Sequence, residues 1–121
     1  KKLDKMNMNR IEMIKIYLEG IKDLNYLKPY TDYITKGDYN YWFFGIRCKK
    51  RDKLIIYLKN KGIATGVHFY PLPLQPLFAP YYNQDCNISL SIWKEFITLP
   101  SFVGISKKEF DYIFSALSDF D

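Results

Sequence analysis

The chain has 121 residues, of which 48% are hydrophobic and 18% aromatic, and it carries a formal net charge of +5. The length fits one domain, and the apolar and aromatic content excludes an intrinsically disordered chain. Two cysteines and a single histidine exclude a usual zinc site, and the interspersed basic and acidic residues argue against a nucleic-acid interface.

The first predicted element is a long amphipathic helix from Asp4 to Leu24, because apolar residues recur there at three- and four-residue spacing. Gly20 weakens the end of this helix. Residues 25–38 contain turn-forming residues and predict a loop with one short extended piece. The apolar stripe of the helix consists of Ile11, Ile14, Tyr17, Leu18, Ile21 and Leu24.

The segment from Tyr39 to Cys48 is dense in aromatic and β-favouring residues without polar alternation, which predicts a strand covered on both faces. Arg47 near its end has two interpretations. It is either a surface residue just past the core or a planar guanidinium fork that binds an anion.

A second helix is predicted from Arg51 to Lys61, and it ends at Gly62, where a C-terminal turn requires positive φ. Residues Ile63 to His68 are predicted to form a second strand. The order strand, helix, strand predicts a sheet with a helix packed on one face, in an α/β fold.

The stretch that follows brings His68, Tyr70 and three prolines together in a path that cannot be regular structure. A stiff segment with aromatic and imidazole groups is a candidate wall for a ligand pocket. The alternative is a proline-rich connector in which His68 is held by a structural hydrogen bond. The prolines are Pro71, Pro73 and Pro76.

The last third begins with an irregular aromatic loop from Leu77 to Cys86. Ser89 or Ser91 is predicted to cap a short helix that continues through Phe96. The segment Ser106–Glu109 matches a capping box, which predicts the start of the final helix. The apolar face of that helix consists of Phe110, Ile113, Phe114 and Leu117.

The sequence also bears on location and partners. No apolar run reaches the length of a membrane span and no signal peptide is visible, so we expect a soluble cytoplasmic protein without membrane partners. The positive charge leaves a phosphorylated small molecule open as a partner. A disulfide between Cys48 and Cys86 is compatible with the sequence, but nothing in it supports one. The chain begins with Lys1 rather than methionine, as expected of a piece of a longer polypeptide.

Little catalytic chemistry is present. His68 is the only candidate base that titrates near neutral pH, and there is no glycine-rich phosphate loop and no metal-ligand cluster. From its residues alone, the chain is interpreted as a small α/β domain with one candidate ligand-contacting loop, and not as a complete enzyme.

The order of several short segments resembles the C-terminal small domain of the DegT/StrS family of pyridoxal-phosphate-dependent sugar aminotransferases. The resemblance covers nearly the whole chain and is most specific from Arg51 to Pro76. The segments are Arg10-x6-Tyr17, Tyr41–Arg47, Arg51–Leu54, Gly62–Pro71, Gln75-Pro76 and Leu99-Pro100.

This resemblance implies a fold-type-I aminotransferase whose small domain has a few-stranded sheet packed with helices. The catalytic lysine and most contacts to pyridoxal phosphate then belong to a large N-terminal domain outside residues 1–121, so no catalytic or cofactor-binding residue is assigned here. The small domain is expected to supply one wall of the active site. The implied substrate-binding residues are His68, Phe69 and Tyr70, which face the keto-sugar or the cofactor, and Arg47.

The resemblance also implies a reaction and an assembly. An amino acid, with glutamate as the expected donor, transfers its amino group to a nucleotide-linked keto-sugar, and the intact enzyme is a homodimer. One position departs from the family, since Pro73 stands where many relatives have a second histidine. This departure predicts an altered specificity or a member without aminotransferase activity. The alternative is a freestanding, non-catalytic binding or interaction module.

Overall fold

A computed structural model of the chain describes residues 1–33, 41–81 and 86–120. The proline-rich region contains two short 3-10 helices, Leu72–Leu74 and Ala79–Tyr81. Within the described residues, no helix is both long and apolar enough to cross a bilayer. The α/β class is confirmed. In chain order the helices and strands are α1 (Lys2–Ile21), β1 (Leu27–Pro29), β2 (Phe44–Cys48), α2 (Arg51–Asn60), α3 (Asn87–Glu95), β3 (Phe96–Leu99) and α4 (Lys107–Ser118).

The sheet has the order β1-β2-β3, and both pairs of strands are antiparallel. The extended piece predicted within residues 25–38 is β1, and the predicted aromatic strand is β2, which begins only at Phe44. Residues 34–40 of these two predicted segments lie outside the described residues. Lys28 of β1 lies opposite Arg47 of β2, and Arg47 lies opposite Phe96 of β3.

The predicted strand Ile63–His68 is wrong. Only Gly66 pairs, through an isolated bridge in which its N–H donates to the Thr98 carbonyl at 3.2 Å and its carbonyl accepts from the Thr98 N–H at 2.7 Å. The His68 ring lies against Gly66, in the space that a side chain at this position would occupy. The bridge at Gly66 fixes the His68 segment to the edge of the sheet.

The third strand is formed instead by Phe96–Leu99. The helix predicted to continue through Phe96 therefore ends one residue earlier, and residues 97–99 had no predicted element. All four residues are buried, and aromatic and β-branched side chains favour a pleated surface over a helix. The predicted serine cap is also wrong, because α3 begins at Asn87 after Cys86. The Ser91 hydroxyl donates to the Ile88 carbonyl at 2.8 Å.

The core lies between one face of the sheet and helices α1, α2 and α4. Alternate residues of β2 point into it, and Tyr17 lies at its centre, fully buried and stacked on Phe44 with ring centroids 4.6 Å apart. The Tyr17 hydroxyl donates to the Pro100 carbonyl at 2.6 Å, and burial raises the pKa of this phenol. Fully buried side chains of the core include Ile14, Phe44, Ile46, Leu54, Leu58 and Leu117.

Two predicted helix boundaries are confirmed. Gly62 follows α2 with φ +73, a conformation that other residues rarely adopt. At the start of α4, the Ser106 side chain accepts from the Glu109 N–H, and the Glu109 carboxylate accepts from the Ser106 N–H at 2.7 Å. The Ser106 hydroxyl also donates to the Glu109 carboxylate at 2.7 Å, and this hydrogen bond, together with the one from the Ser106 N–H, lowers the pKa of Glu109.

Gly20 has a packing role that the sequence did not reveal. A Cβ atom at this position would overlap the ring of Phe114, which also packs edge-on against Tyr17. Helix α1 therefore needs glycine where α4 crosses it, although glycine lowers the helix propensity of the segment.

The variant Gly20→Ala is expected to lower the free energy of unfolding by up to roughly 2 kcal/mol, because a gain of roughly 1 kcal/mol in helix propensity offsets only part of an overpacking cost of about 1–3 kcal/mol. Urea denaturation measures the change. The same substitution in a Phe114→Leu background is the control, since the smaller side chain removes the overlap. A stabilising effect of Gly20→Ala in the natural background would contradict this account of the packing.

Candidate functional site

The candidate site is the segment that follows the Gly66 bridge, where His68, Phe69 and Tyr70 are adjacent. Phe69 is 73% exposed and Tyr70 is 52% exposed, whereas His68 is half-buried. The His68–Phe69 peptide bond is cis. The segment presents aromatic faces to the outside on a backbone that prolines stiffen.

The imidazole of His68 lies within an aromatic cluster. Its ring centroid is 5.5 Å from Trp42, 6.3 Å from Phe43 and 5.4 Å from Phe69. Within residues 1–33, 41–81 and 86–120, His68 has these ring contacts and no side-chain hydrogen bond. This arrangement favours the interpretation of His68 as a ligand-contacting group over a histidine fixed by a structural hydrogen bond.

A cavity of about 250 Å³ opens beside this cluster, between the His68 segment, the outer face of the sheet and helix α3. Its polar side-chain groups are the imidazole, the hydroxyl groups of Tyr30 and Ser89 and the indole N–H of Trp93, and its other lining side chains are apolar. Such a cavity suits a ring with hydroxyl groups, because the aromatic faces pack against the ring and the polar groups set its orientation. The lining consists of Tyr30, His68, Phe69, Pro71, Ile88, Ser89, Ile92, Trp93 and Phe96.

The side chains that line this cavity also show whether it could hold a cofactor or a metal ion. It includes no lysine or arginine, so it provides no cation for a phosphate group. Among the described residues, no cluster of three or more histidine, cysteine or acidic side chains is placed to hold a metal ion. These residues therefore do not fit pyridoxal phosphate on their own.

Gly66 sets the position of the His68 ring. A Cβ atom at residue 66 would lie 2.7 Å from His68 Nε2 and 2.9 Å from Thr98 Oγ1, so any larger residue displaces the imidazole or breaks the bridge to β3. The glycine thus allows the imidazole to lie against the backbone at the sheet edge.

We expect Gly66→Ala to move the imidazole out of the aromatic cluster. Since the chain has one histidine, its ring protons are assigned without ambiguity, and removal of the neighbouring ring currents should shift them. Two-dimensional NMR measures this shift, and the exposed Ala64→Ser variant in the same segment serves as the control. Unchanged histidine resonances in Gly66→Ala would contradict the close packing of the ring on residue 66.

Tyr70 is held by residues that the sequence analysis did not assign to the site. Its ring meets Trp93 of α3 edge-on, with centroids 5.3 Å apart and planes at 88°. The guanidinium of Arg51 lies 5.0 Å from the Trp93 ring centroid, and its Nη1 donates to the Trp93 carbonyl at 2.9 Å. The Trp93 Nε1 is buried without a hydrogen-bond partner in the described part of the chain, so ring packing and Arg51 hold this side chain.

Arg47 lies away from the other three predicted site residues. It does not line the His68 cavity, and its Nε and Nη2 donate to the same Glu95 carboxylate oxygen at 3.0 and 2.8 Å. The Arg47 side chain remains 35% exposed and lines a different cleft. His68 and Phe69 therefore line the cavity, whereas Tyr70 is not a lining residue and reaches the cavity only through its contact with Trp93. Arg47 lies apart from all three.

Known families and proteins are similar in sequence to this chain. The model of the DegT/DnrJ/EryC1/StrS aminotransferase family matches residues 1–118. A "pleiotropic regulatory protein" of Geobacillus stearothermophilus is 37% identical over 81 residues, which cover 64% of this chain and 22% of that protein. The dTDP-3-amino-3,6-dideoxy-alpha-D-galactopyranose transaminase of Aneurinibacillus thermoaerophilus is 29% identical over 119 residues, which cover 96% of this chain and 32% of that protein.

Solved structures share the fold. The PseC aminotransferase of Helicobacter pylori, involved in the biosynthesis of pseudoaminic acid, superposes with a TM-score of 0.86 at 18% identity over 99% of this chain and 34% of its own. S. venezuelae DesV, solved in complex with a ketimine intermediate, gives a TM-score of 0.83 at 23% identity over 95% of this chain and 32% of its own. The chain therefore spans about a third or less of the length of these relatives.

Proposed function

Because the chain belongs to the DegT/DnrJ/EryC1/StrS aminotransferase family, we propose that it is the C-terminal small domain of a pyridoxal-phosphate-dependent sugar aminotransferase. The intact enzyme transfers an amino group from an amino acid, with glutamate as the expected donor, to the keto group of a nucleotide-linked sugar. The similarity to a dTDP-amino-sugar transaminase over 96% of this chain supports this substrate class.

The observation that most directly supports a substrate-binding role for this domain is the small cavity beside His68. It combines aromatic walls with an imidazole and two hydroxyl groups and has no charged lining residue. In the proposed complex, the His68 imidazole hydrogen-bonds a sugar hydroxyl, and the face of Phe69 packs against the sugar ring. Tyr70 contributes indirectly, because its edge-on contact holds the ring of Trp93, a lining residue, in place before the substrate arrives.

The cofactor of the family supplies the electron sink for amino-group transfer when it is bound. The residues around His68 provide no cation for its phosphate, so we assign its binding and the catalytic lysine to a large domain on the same polypeptide. The exposed ring of Phe69 also excludes water from the side of the reacting sugar that it covers. We further propose that the intact protein is a cytoplasmic homodimer.

The proposal is tested with the native polypeptide that contains this sequence. It is incubated with glutamate and a panel of nucleotide-linked keto-sugars, and the aminated sugar is identified by mass spectrometry, with donor-free reactions as controls. Formation of an amino sugar from at least one member of the panel is expected. Failure with every keto-sugar, in a protein that binds pyridoxal phosphate and accepts the amino group of glutamate, would overturn the substrate class.

A second candidate is a non-catalytic binding module of the same fold. It is favoured by Pro73, which replaces a histidine of many relatives, and by the similarity of 81 residues to a protein named as a regulator. This candidate predicts that the native polypeptide neither binds pyridoxal phosphate nor accepts an amino group from any donor. A native protein that takes up no pyridoxal phosphate when it is added, and carries no pyridoxamine phosphate, would therefore favour this candidate over the aminotransferase.

A further inference from the structure

A second cleft, which we call the basic cleft, lies at the far end of β2 from His68. Its volume is about 390 Å³, and it shares no lining residue with the His68 cavity. Its charged lining residues are Lys28, Arg47, Lys49, Lys50 and Glu95. The positive charge on which the site depends is carried by Lys28, Arg47 and Lys49, since Lys50 has an interaction of its own.

The sheet register places two of these cations next to each other. Lys28 of β1 lies directly opposite Arg47 of β2, and residues opposite each other in an antiparallel pair project from the same face. Like charges in this arrangement repel each other and destabilise the pair. The two side chains line the cleft, so an anion bound there would reduce their mutual repulsion.

The one carboxylate of the cleft neutralises only part of this charge. Glu95 uses a single oxygen to accept both hydrogen bonds from Arg47, so the Nη1 edge of the guanidinium is available to a ligand. Lys28 and Lys49 form no ion pair with any residue in 1–33, 41–81 and 86–120. An anion in the cleft would therefore meet one guanidinium edge and two lysine ammonium groups.

The turn from β2 into α2 adds to the positive potential. Lys49 and Lys50 precede the first residue of α2, and no side chain caps this helix end, while Asp52 in the first turn pairs with Arg51 and offsets part of the positive charge there. The N-terminus of a helix carries a partial positive charge and free N–H donors. The side chains of the cleft and the adjacent helix end thus favour a ligand with more than one negative charge.

We propose that the basic cleft binds a phosphate or diphosphate group of a small molecule. A guanidinium fork beside lysines recognises phosphate oxygens, and the concave site encloses one small group rather than an extended backbone. The source of the phosphate is either a free phosphorylated metabolite or the diphosphate of a nucleotide-linked compound. The proposal stands on the cleft alone and does not require aminotransferase activity.

The test uses the native polypeptide with pyridoxal phosphate in excess, so that any cofactor site is filled. Isothermal titration calorimetry measures binding of inorganic pyrophosphate to the wild type and to the double variant Lys28→Ala/Lys49→Ala. The matched control is Lys53→Ala/Lys59→Ala, which removes two exposed lysines of α2 outside the cleft. We expect the cleft variant to raise the Kd for pyrophosphate at least tenfold and the control to leave it within about twofold.

The sources are distinguished by a second ligand series. If thymidine diphosphate binds at least tenfold more tightly than pyrophosphate, and loses this affinity in the cleft variant, the phosphate belongs to a nucleotide. Equal affinities that fall together in the cleft variant indicate a free phosphorylated metabolite. Either result supports the proposal.

Three results would overturn it. One is the absence of pyrophosphate binding at millimolar concentration, and another is an equal loss of binding in the cleft and control variants, which would indicate an adventitious ion only. The third is tighter binding of duplex DNA than of pyrophosphate, with the DNA affinity lost in the cleft variant. That result would assign the cleft to a nucleic acid. Equal melting temperatures of the two double variants exclude misfolding as the cause, and amino-group transfer is measured separately.

Discussion

Replacing Phe44 with alanine is expected to lower the free energy of unfolding by about 3–5 kcal/mol, as large-to-small changes of buried aromatic residues do. The Phe44 side chain is fully buried. Its ring stacks on Tyr17 of α1 at 4.6 Å and on Tyr33, in the segment after β1, at 5.1 Å. The substitution removes both contacts and leaves a cavity between rings that cannot collapse freely.

Urea denaturation followed by circular dichroism measures this change, and an unchanged m-value would show that the transition is still two-state. The control is Ile56→Ala on the outer side of α2, where the side chain is 62% exposed and the expected change is within about 0.5 kcal/mol. A loss below about 1 kcal/mol in Phe44→Ala would contradict the position of this ring at the centre of the core.

In the intact enzyme, His68→Ala is expected to reduce turnover or sugar affinity by roughly tenfold or more, the effect of losing one hydrogen bond to a substrate hydroxyl. The melting temperature should change little, because the imidazole is half-buried and has ring contacts but no side-chain hydrogen bond in the described part of the chain. Steady-state kinetics with the keto-sugar substrate and a thermal melt of the same preparation provide the two readouts.

The matched control for this experiment is Tyr81→Phe, which removes a hydroxyl from an 83% exposed ring of the same region outside the cavity. This variant should keep the kinetics of the wild type. If His68→Ala instead lowers the melting temperature and keeps normal kinetics, the histidine is a structural residue of the aromatic cluster, and the assignment of the substrate wall fails.

The helices were predictable because their signals are local. The three- and four-residue spacing of apolar residues predicted α1, the exit through Gly62 ended α2, and the Ser106–Glu109 capping box marked the start of α4. Each of these signals lies within about two turns of chain, so it acts before any tertiary packing.

The strands were less predictable because short apolar runs fit either a helix or a strand. Phe96–Leu99 follows a helical pattern without a break, and only its burial on all four residues against β2 makes it a strand. The Ile63–His68 segment shows the opposite error, since it was predicted as a strand and is not one. Its composition favours a strand, but the path of the chain allows one bridge, at Gly66.

The residues of the candidate site were likewise predictable only where the signal is local. His68, Phe69 and Tyr70 are adjacent in sequence, so a motif could identify them together. The separation of Arg47 could not be predicted, because its partner Glu95 is 48 residues away and its neighbour Lys28 depends on the register of β1. The support of Tyr70 by Trp93 likewise arises only when α3 folds against the sheet.

The family assignment was predictable from the order of the segments, and the match over residues 1–118 confirms it. Each segment is short and carries little information alone. Their combination identifies the fold, because glycines at helix ends, buried strands and proline turns must be spaced along the sequence in a particular way for the same core to form.

The central claim is that these residues belong to a pyridoxal-phosphate enzyme with a large domain. The most direct test is the mass and visible absorption of the native polypeptide, purified from its source. We expect a chain about three times as long as the 121 residues described, consistent with the 32% of a transaminase that they cover, with a cofactor band that borohydride abolishes. A stable 14.5 kDa protein without that band would contradict the claim and identify a domain that keeps the fold without the chemistry.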